Sequence, residues 1–445
     1  MKTIPPQGIK LIKILEEAGY QAYFAGGCVR DLILGKRPGD WDICTSAPPR
    51  ETLRLFSAFR LSLKGLRYGT LTVILGGKPY EITTFRKEEG YTDHRRPGQV
   101  SFVGSLFQDL ARRDFTINAM AFHPGAGVID PFNGLSDLKK KTIRCVGDPY
   151  ERFSEDALRI IRALRFSSAL GFSIEPGGKN ALMKQKEALA FVHPQRLAPE
   201  LIRLCLGKNA LSVLKDYAPV FSVFLPEIAP SIGFPQNHPH HCFDVWTHCC
   251  VASSFAPKDP AIRLALLFHD LGKPFCSSTD AQGIQHFFGH HKISAKLTED
   301  ILSRLSLPGS LSHQILSLVR YHDACLFTEK EIRRALRRLG EPLLRKLLIV
   351  KDCDARAQTP FFYPQKKESL DQTRAMLESI LSEKPCFSRR DLAVNGNDLM
   401  ALGLAPGKRM GMILSRLFEM VAEEGLENDK KTLLEEAGKI LEASR

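Results

Sequence analysis

Apolar and polar positions alternate in short runs through the first part of the chain. The stretches QAYFAGG, WDICT, LTVIL, YEITTF and QVSFVG read as strands, with glycine and proline punctuating the intervals between them. LILGK and ETLRLF read as helical pieces between those strands. The pattern predicts a sheet domain of α+β or α/β type up to about residue 140. From Asp148 the period changes. SEDALRIIRALRFSSALGF has helical spacing, and helical segments dominate from there to the end. A His-rich island, QNHPHHCFDVWTHCC, is followed by LALLFHDLGK and HFFGHHKISAK. After a proline-containing linker, TPFFYPQ, come further amphipathic helices. The last segment, LAPGKRMGMILSRLFEMVAEEG, has Pro406 near a helix start and Gly425 at its stop.

At 445 residues the chain exceeds what a single hydrophobic core serves, so two to four domains are expected. An apolar fraction of 44% with 25% charged residues describes a globular protein. Its apolar stretches are short and carry charge, so no membrane partner is expected and the cytoplasm is the expected location. The eleven cysteines are scattered or adjacent, without the paired C-x-x-C spacing of a zinc ribbon, and read as reduced thiols. The formal charge of +13 attracts polyanions by counterion release, which favours a nucleic-acid partner over mere solubility charge.

Asp40 and Asp42 flank Trp41 just past a Pro-Gly turn. In a strand, residues two apart face the same way, so both carboxylates would project from one face and Trp41 from the other. Two like charges at that spacing repel unless a cation lies between them, and a hard divalent ion with oxygen ligands is the natural occupant. D-x-D alone is also what a solvated loop capping a turn shows. Its surroundings decide between the two. Upstream, AYFAGGCVRD runs a strand into Gly26 and Gly27, where the backbone can approach a triphosphate closely and Arg30 complements its charge. Downstream, YEITTFR offers Glu81 as a third carboxylate. The combination points to a two-metal site for phosphoryl or nucleotidyl transfer.

GGCVRD, RPGDWDICTSAPP, RYGTLTV, EITTFR, RRDFTINAMAF, DPFNG and SEDALRIIRALRF follow one another across residues 26–166. In this order they resemble the polymerase β-like nucleotidyltransferases, and among those the bacterial tRNA nucleotidyltransferases (CCA-adding enzymes) and their poly(A) polymerase relatives. The resemblance implies a multidomain α+β chain: a nucleotidyltransferase head (1–140), a helical neck reading the base (141–205), a helical body (206–360) and a helical tRNA-binding tail (361–445). It implies addition of the 3'-terminal CCA to tRNA from CTP and ATP. Asp40 and Asp42 would hold two Mg²⁺ ions, and Glu81 would orient or deprotonate the attacking 3'-hydroxyl. A poly(A) polymerase sharing the same head is the nearest alternative. Tyr68 stands in RYGT where relatives often carry histidine.

Asp156, Arg159, Arg162 and Arg165 recur at three-residue spacing and predict a polar ridge along one helix. An aspartate accepts from an exocyclic amino group while an arginine donates to a ring nitrogen or carbonyl, so such a pair can read a base edge. The resemblance assigns base selection to Asp156 and Arg159, phosphates or the RNA end to Arg162 and Arg165, and nucleotide contact to Gly27, Arg30 and Arg113, with Asp114 near the sugar. The charged loop RKEEGYTDHRRPGQ corresponds to one associated with the switch from C to A addition. The tail, with Lys408, Arg409 and Arg416, resembles the part that grips the tRNA elbow.

WTHCC, FHDLGK and HFFGHHKIS resemble the HD phosphohydrolase superfamily. The resemblance places His248, His269, Asp270 and Asp354 around a transition metal (Mn, Ni, Co or Zn), a donor set that suits those ions. Asp323 competes with Asp354 for the last position, and His290, His291 or His322 would extend the site to two metals. A phosphohydrolase acting on RNA ends or nucleotides is therefore a further reading.

Overall fold

The computed structural model describes residues 4–89, 99–382 and 391–442. Backbone contacts divide the chain into two units, Met1–Pro226 and Glu227–Arg445.

The first unit starts with helix α1 (Pro6–Glu17), followed by β1 (Ala22–Ala25), α2 (Gly27–Ile33), β2 (Asp42–Thr45), α3 (Pro49–Leu55), β3 (Arg60–Ser62), β4 (Thr70–Leu75) and β5 (Lys78–Thr84). A separate hairpin of β6 (Arg86–Glu89) and β7 (Gln99–Phe102) leads to α4 (Leu106–Ala111), β8 (Ala121–His123) and β9 (Gly127–Ile129). The residues joining β6 to β7, within the loop expected to switch C to A addition, lie outside the described residues.

The sheet order is β3-β4-β5-β2-β1-β8-β9, antiparallel throughout except where β2 lies parallel to β5. Successive side chains alternate faces, and both faces are covered. Ala25, Cys44, Phe85 and Ala121 join Leu110 and Val146 in one buried cluster. Phe24 and Ile43 point the other way, and Trp41 packs edge-on against Phe24 with ring centroids 5.0 Å apart.

Beyond the sheet come α5 (Gly134–Lys140) and the short parallel pair β10 (Thr142–Ile143) and β11 (Ser173–Ile174). Between those two strands lie α6 (Pro149–Glu155) and α7 (Leu158–Leu170). The continuous helix predicted through Ser154–Phe172 is thus broken at Asp156, where the backbone is extended (φ −141°, ψ 101°) and Oδ1 accepts from Leu158 N at 3.2 Å. A local side-chain bond to backbone has replaced a helical one. Four helices complete the unit: α8 (Pro176–Gln185), α9 (Pro194–Cys205), which packs on α7, α10 (Ala210–Asp216) and α11 (Ala218–Phe224).

The second unit is helical apart from the small hairpin β12 (Ser278–Thr279) and β13 (Gln285–His286). Its helices are α12 (Val245–Phe255), α13 (Pro260–Phe268), α14 (His290–Leu305), α15 (Gly309–Tyr321), α16 (Glu329–Leu339), α17 (Glu341–Arg356), α18 (Tyr363–Ser382), α19 (Gly396–Ala401), α20 (Lys408–Glu424) and α21 (Lys430–Glu442). Residues Ala261–Phe268 of α13 are buried on every side, so this helix is the axis on which α12, α15 and α17 pack. Asp259 starts it by accepting from Ala261 N and Ile262 N. Leu399, Leu417 and Leu433 join α19, α20 and α21 in a separate core, with Gly425 ending α20 in the left-handed region. Among the described residues no helix is long and apolar enough to cross a membrane.

Candidate active site

Strand β2 begins at Asp42, and Asp40 sits in the exposed bend before it, so the two aspartates do not share strand geometry as their spacing predicted. The pairing within the sheet is between Asp42 and Glu81, matched in register across parallel β2 and β5. In-register neighbours point to one face, which puts these two carboxylates side by side. Burial raises the Asp42 carboxyl, Glu81 and Asp40 raise it further, and Arg113 opposes them; the result is about 6 against an ordinary 3.8. A carboxylate so reluctant to carry its charge is one that a cation would relieve.

Strand β1 delivers the chain to Gly26 at φ 81°, where an added Cβ would stand 2.6 Å from Arg113 Nη1. Only glycine fits this turn beside the guanidinium. One turn into α2, Arg30 donates to Asn118 Oδ1 at 2.7 Å and pairs with Asp31 at 2.8 Å. The guanidinium carbons of Arg30, Arg162 and Arg165 stand 5.1, 5.6 and 3.6 Å from the centre of the Phe166 ring. Cations over an aromatic face are attracted to it, and the ring fixes where their charge is presented.

Each of several acids pins an arginine around this ring. Fully buried Asp109 takes Arg112 at 2.8 Å and Arg113 at 3.3 Å. Asp114 accepts from Arg162 Nε at 2.8 Å and from Asn118 Nδ2 at 3.1 Å. Burial alone would raise the Asp114 carboxyl, but Arg162 and the Asn118 amide bring it down to about 2. Glu200 forms an ion pair with Arg165 at 2.6 Å, while burial pushes the Arg165 guanidinium down to about 10. Asp156 pairs with Arg196 at 2.7 Å, and Glu155 with Arg159 at 2.5 Å. Arg159 is buried at 7% exposed, while Asp156, Arg162 and Arg165 are half-buried, and each of the four side chains is paired with an opposite charge.

These groups enclose a cavity of about 520 Å³ whose lining contains nine arginines against three aspartates. That surplus suits a small polyanion. Of the residues expected at the site, Gly27, Arg30, Asp42, Arg113, Asp156, Arg159, Arg162 and Arg165 line the cavity; Asp40 and Glu81 flank Asp42 without lining it. Asp114 also lines it, tied to Arg162. Tyr68, on the short helical turn Leu66–Tyr68, lies under the Arg67 guanidinium at 4.4 Å.

In the second unit three helices bring four side chains together. His248 comes from α12, His269 and Asp270 from the end of α13, and Asp354 from α17. His248 Nε2 is 2.9 Å from Asp354 Oδ1 and 3.4 Å from Asp270 Oδ2. His269 Nε2 lies 3.3 Å from Asp270 Oδ2 and 3.5 Å from Asp354 Oδ1, yet makes no hydrogen bond while buried. Asp323 stands apart, 61% exposed and 3.8 Å from His291 Nδ1, whereas Asp354 is in the cluster.

Comparison with known proteins finds a match in each unit. A Poly A polymerase head domain matches residues 22–144, and a tRNA nucleotidyltransferase domain 2 matches residues 275–437. The CCA-adding enzyme of Lactobacillus delbrueckii subsp. bulgaricus is 33% identical, over 96% of this chain and 96% of its own. That of Ligilactobacillus salivarius is 34% identical over 99% of each. The chain belongs to the CCA-adding enzyme family. The Bacillus stearothermophilus CCA-adding enzyme, solved in complex with CTP, has the same fold with a TM-score of 0.73 and 27% identity, covering 99% of this chain and 100% of that one.

For a CCA-adding enzyme, sequence reasoning overlooked the bracing residues: Asp109, Asn118, Glu155, Arg196, Glu200 and Phe166. Asn118 and Phe166 lie inside motifs read from the sequence, RRDFTINAMAF and SEDALRIIRALRF. Glu200 and Arg196 are on α9, which no local pattern linked to the site.

Proposed function

We propose that this chain is a template-independent CTP/ATP:tRNA nucleotidyltransferase that builds or repairs the 3'-terminal CCA. The observation that carries the reading is end-to-end likeness to CCA-adding enzymes combined with an arginine-lined cavity that also contains Asp42. In the reaction the RNA 3'-oxygen attacks the α-phosphorus of the nucleotide, a P–O bond forms, and the bond to pyrophosphate breaks. Arg30, Arg113, Arg162 and Arg165, beside the Gly27 backbone, hold the triphosphate and the RNA end. Asp156 accepts from the exocyclic amino group common to cytosine and adenine and absent from uracil, while Arg159 donates to the neighbouring ring position.

The acids fit divalent ions. Asp42, crowded by Glu81 and Asp40 and raised to about 6, is an oxygen donor short of positive charge, as Mg²⁺ requires of its ligands. Asp40 and Asp42 would hold two Mg²⁺, which when bound neutralise triphosphate charge and make the 3'-hydroxyl more acidic. Glu81 orients that hydroxyl and accepts its proton. The division into head (1–140), neck (141–205), body (206–360) and tail (361–445) is part of the proposal, as are tRNA contact through Lys408, Arg409 and Arg416 and a cytoplasmic location.

Incubating the protein with tRNA lacking its terminal nucleotides and each nucleotide triphosphate tests this. Addition of C, C and one A, then arrest, is expected. Long tails from ATP alone would identify a poly(A) polymerase instead.

A second reading rests on the buried cluster of the second unit, where His248, His269, Asp270 and Asp354 converge. These four would hold one Mn, Ni, Co or Zn ion and serve a phosphatase or cyclic phosphodiesterase acting on phosphorylated RNA ends or nucleotides. Loss of phosphate release in His269→Ala and Asp270→Ala, with CCA addition intact, is the expected result; unchanged release contradicts it.

A further inference from the structure

We propose that a row of six aromatic rings in the second unit is a stacking platform for single-stranded RNA. The rings follow one another as Phe288, His286, His238, His240, Phe362 and Phe361, with successive centroids 5.5, 6.1, 5.1, 3.9 and 5.1 Å apart. Three segments distant in sequence supply them: the end of the β12–β13 hairpin, the His-rich stretch before α12, and the short helical turn Pro360–Phe362. None of the six is a residue assigned above to the nucleotide, the tRNA or a metal.

The row is held in place from behind. Gln285 N donates to Asn237 O and Asn237 N to Gln285 Oε1, each at 2.9 Å, which ties the His-rich stretch to β13. On its other side Thr359 N donates to His240 O at 2.9 Å and Thr359 Oγ1 to Pro239 O at 2.8 Å, which ties it to the turn carrying Phe361 and Phe362. His286 Nε2 lies 2.7 Å from Asp280 Oδ2. Both ends of this fixed row are nevertheless open to water, Phe288 being 79% and Phe361 83% exposed. A lone exposed phenylalanine is ordinary; two at the ends of one connected aromatic strip mark a surface that something covers.

The chemistry of the strip selects its occupant. Phe288 lies flat on His286 with 8° between planes and His238 on His240 with 22°, and the row holds no branched aliphatic side chain. Flat π faces accept nucleobases of any sequence, since every base has such a face. Charge agrees with this. Burial and then the Lys366 ammonium lower the His240 imidazole below its ordinary value, which puts that cation beside the row. Lys366 donates to the Gln358 amide oxygen and makes no ion pair among the described residues. Lys273, paired with Asp270 at 2.6 Å, stands 5.4 Å from the centre of the adjacent Phe287 ring. Rings for the bases with an ammonium for the phosphates is how single strands are gripped. A cavity of about 270 Å³, lined in part by His238, His286 and Phe288, opens along the row, so the strip borders a cleft.

The test is binding of a fluorescent single-stranded RNA of about eight nucleotides to the full chain in chelator, read by anisotropy, with a 4-thiouridine version photocrosslinked and mapped by mass spectrometry. Crosslinks to the segments holding His286, Phe288 and Phe361 are expected in the wild type. Phe288→Leu and Phe361→Leu, which keep an apolar side chain and lose the π face, are expected to weaken binding by about fivefold or more each. Phe288→Trp should bind at least as tightly as the wild type. CCA addition to tRNA, measured on the same samples, is expected to be unchanged in all three variants, and because binding is read without metal, a failure of the catalytic readings would not register here. Crosslinks confined to the first unit, or leucine variants that bind as the wild type does, overturn the platform.

Discussion

Asp42 on β2 and Glu81 on β5 are register partners across the one parallel pairing of the seven-stranded sheet. Their proximity makes the protein's stability depend on pH and metal. The folded-state pKa of Asp42, about 6, lies above its ordinary 3.8. Stability from the protonated carboxyl is therefore fully present below the unfolded value and is lost as pH rises through about 6. In chelator-treated protein Asp42→Asn is expected to be more stable than wild type near neutral pH by about 1–3 kcal/mol, with the gap closing toward about pH 4. Thermal melts across pH check this. Adding Mg²⁺ should raise the Tm of the wild type more than that of the variant.

Glu81→Gln keeps the shape of the side chain and removes its capacity to take a proton. Single-turnover addition of the first C is expected to slow by about 10²-fold, with CTP affinity within a few-fold of wild type. Rapid-quench kinetics with a tRNA primer separate the two quantities. A change confined to affinity would place Glu81 outside the proton path.

Asp114 and Arg162 brace the floor of the cavity. Asp114→Asn leaves the Arg162 charge with only the longer Glu200 contact at 3.8 Å and is expected to cost about 2–3 kcal/mol at neutral pH. Because the Asp114 carboxyl is held at about 2, the stability it adds is present above the ordinary 3.8 and is lost as pH falls through about 2. Denaturant titrations should therefore show wild type and variant converging in acid.

Four strands of the sheet, β1, β2, β4 and β5, and β7 of the separate hairpin lie where period-two alternation and Gly or Pro punctuation place them, because those signals are local, whereas the three-residue strands β3, β8 and β9 were too short to show them. The gap between α6 and α7 was not readable. Apolar spacing continues through Ser154–Phe166 without glycine or proline, and the break depends on Asp156 Oδ1 bonding Leu158 N and Oδ2 holding Arg196 from α9. Arg159 was legible as part of a polar ridge, but nothing near it in sequence shows that Arg112 O would accept its Nη2 at 3.2 Å. Position on a helix is legible from spacing, but which acid neutralises which arginine is set by chain segments far apart. For the same reason His290 and His322 were open choices in sequence and are neighbours in space.

Base choice is expected to follow Asp156. Replacing it with alanine removes the acceptor for the exocyclic amino group, so discrimination of CTP over UTP should fall by about 1–3 kcal/mol, roughly 5- to 150-fold. Competition between the two nucleotides on one tRNA primer measures it. Arg196→Ala, which removes the partner of Asp156, is expected to produce a smaller loss of the same kind.

The central claim is that Asp40 and Asp42 carry metal-assisted nucleotidyl transfer in the arginine-lined cavity. Single-turnover addition of C to a tRNA lacking its CCA end, measured for wild type, Asp40→Asn and Asp42→Asn, tests it most directly. Both variants are expected to bind CTP and tRNA within a few-fold of wild type and to lose about 10³-fold or more in rate. A rate within tenfold of wild type in either properly folded variant would contradict the account.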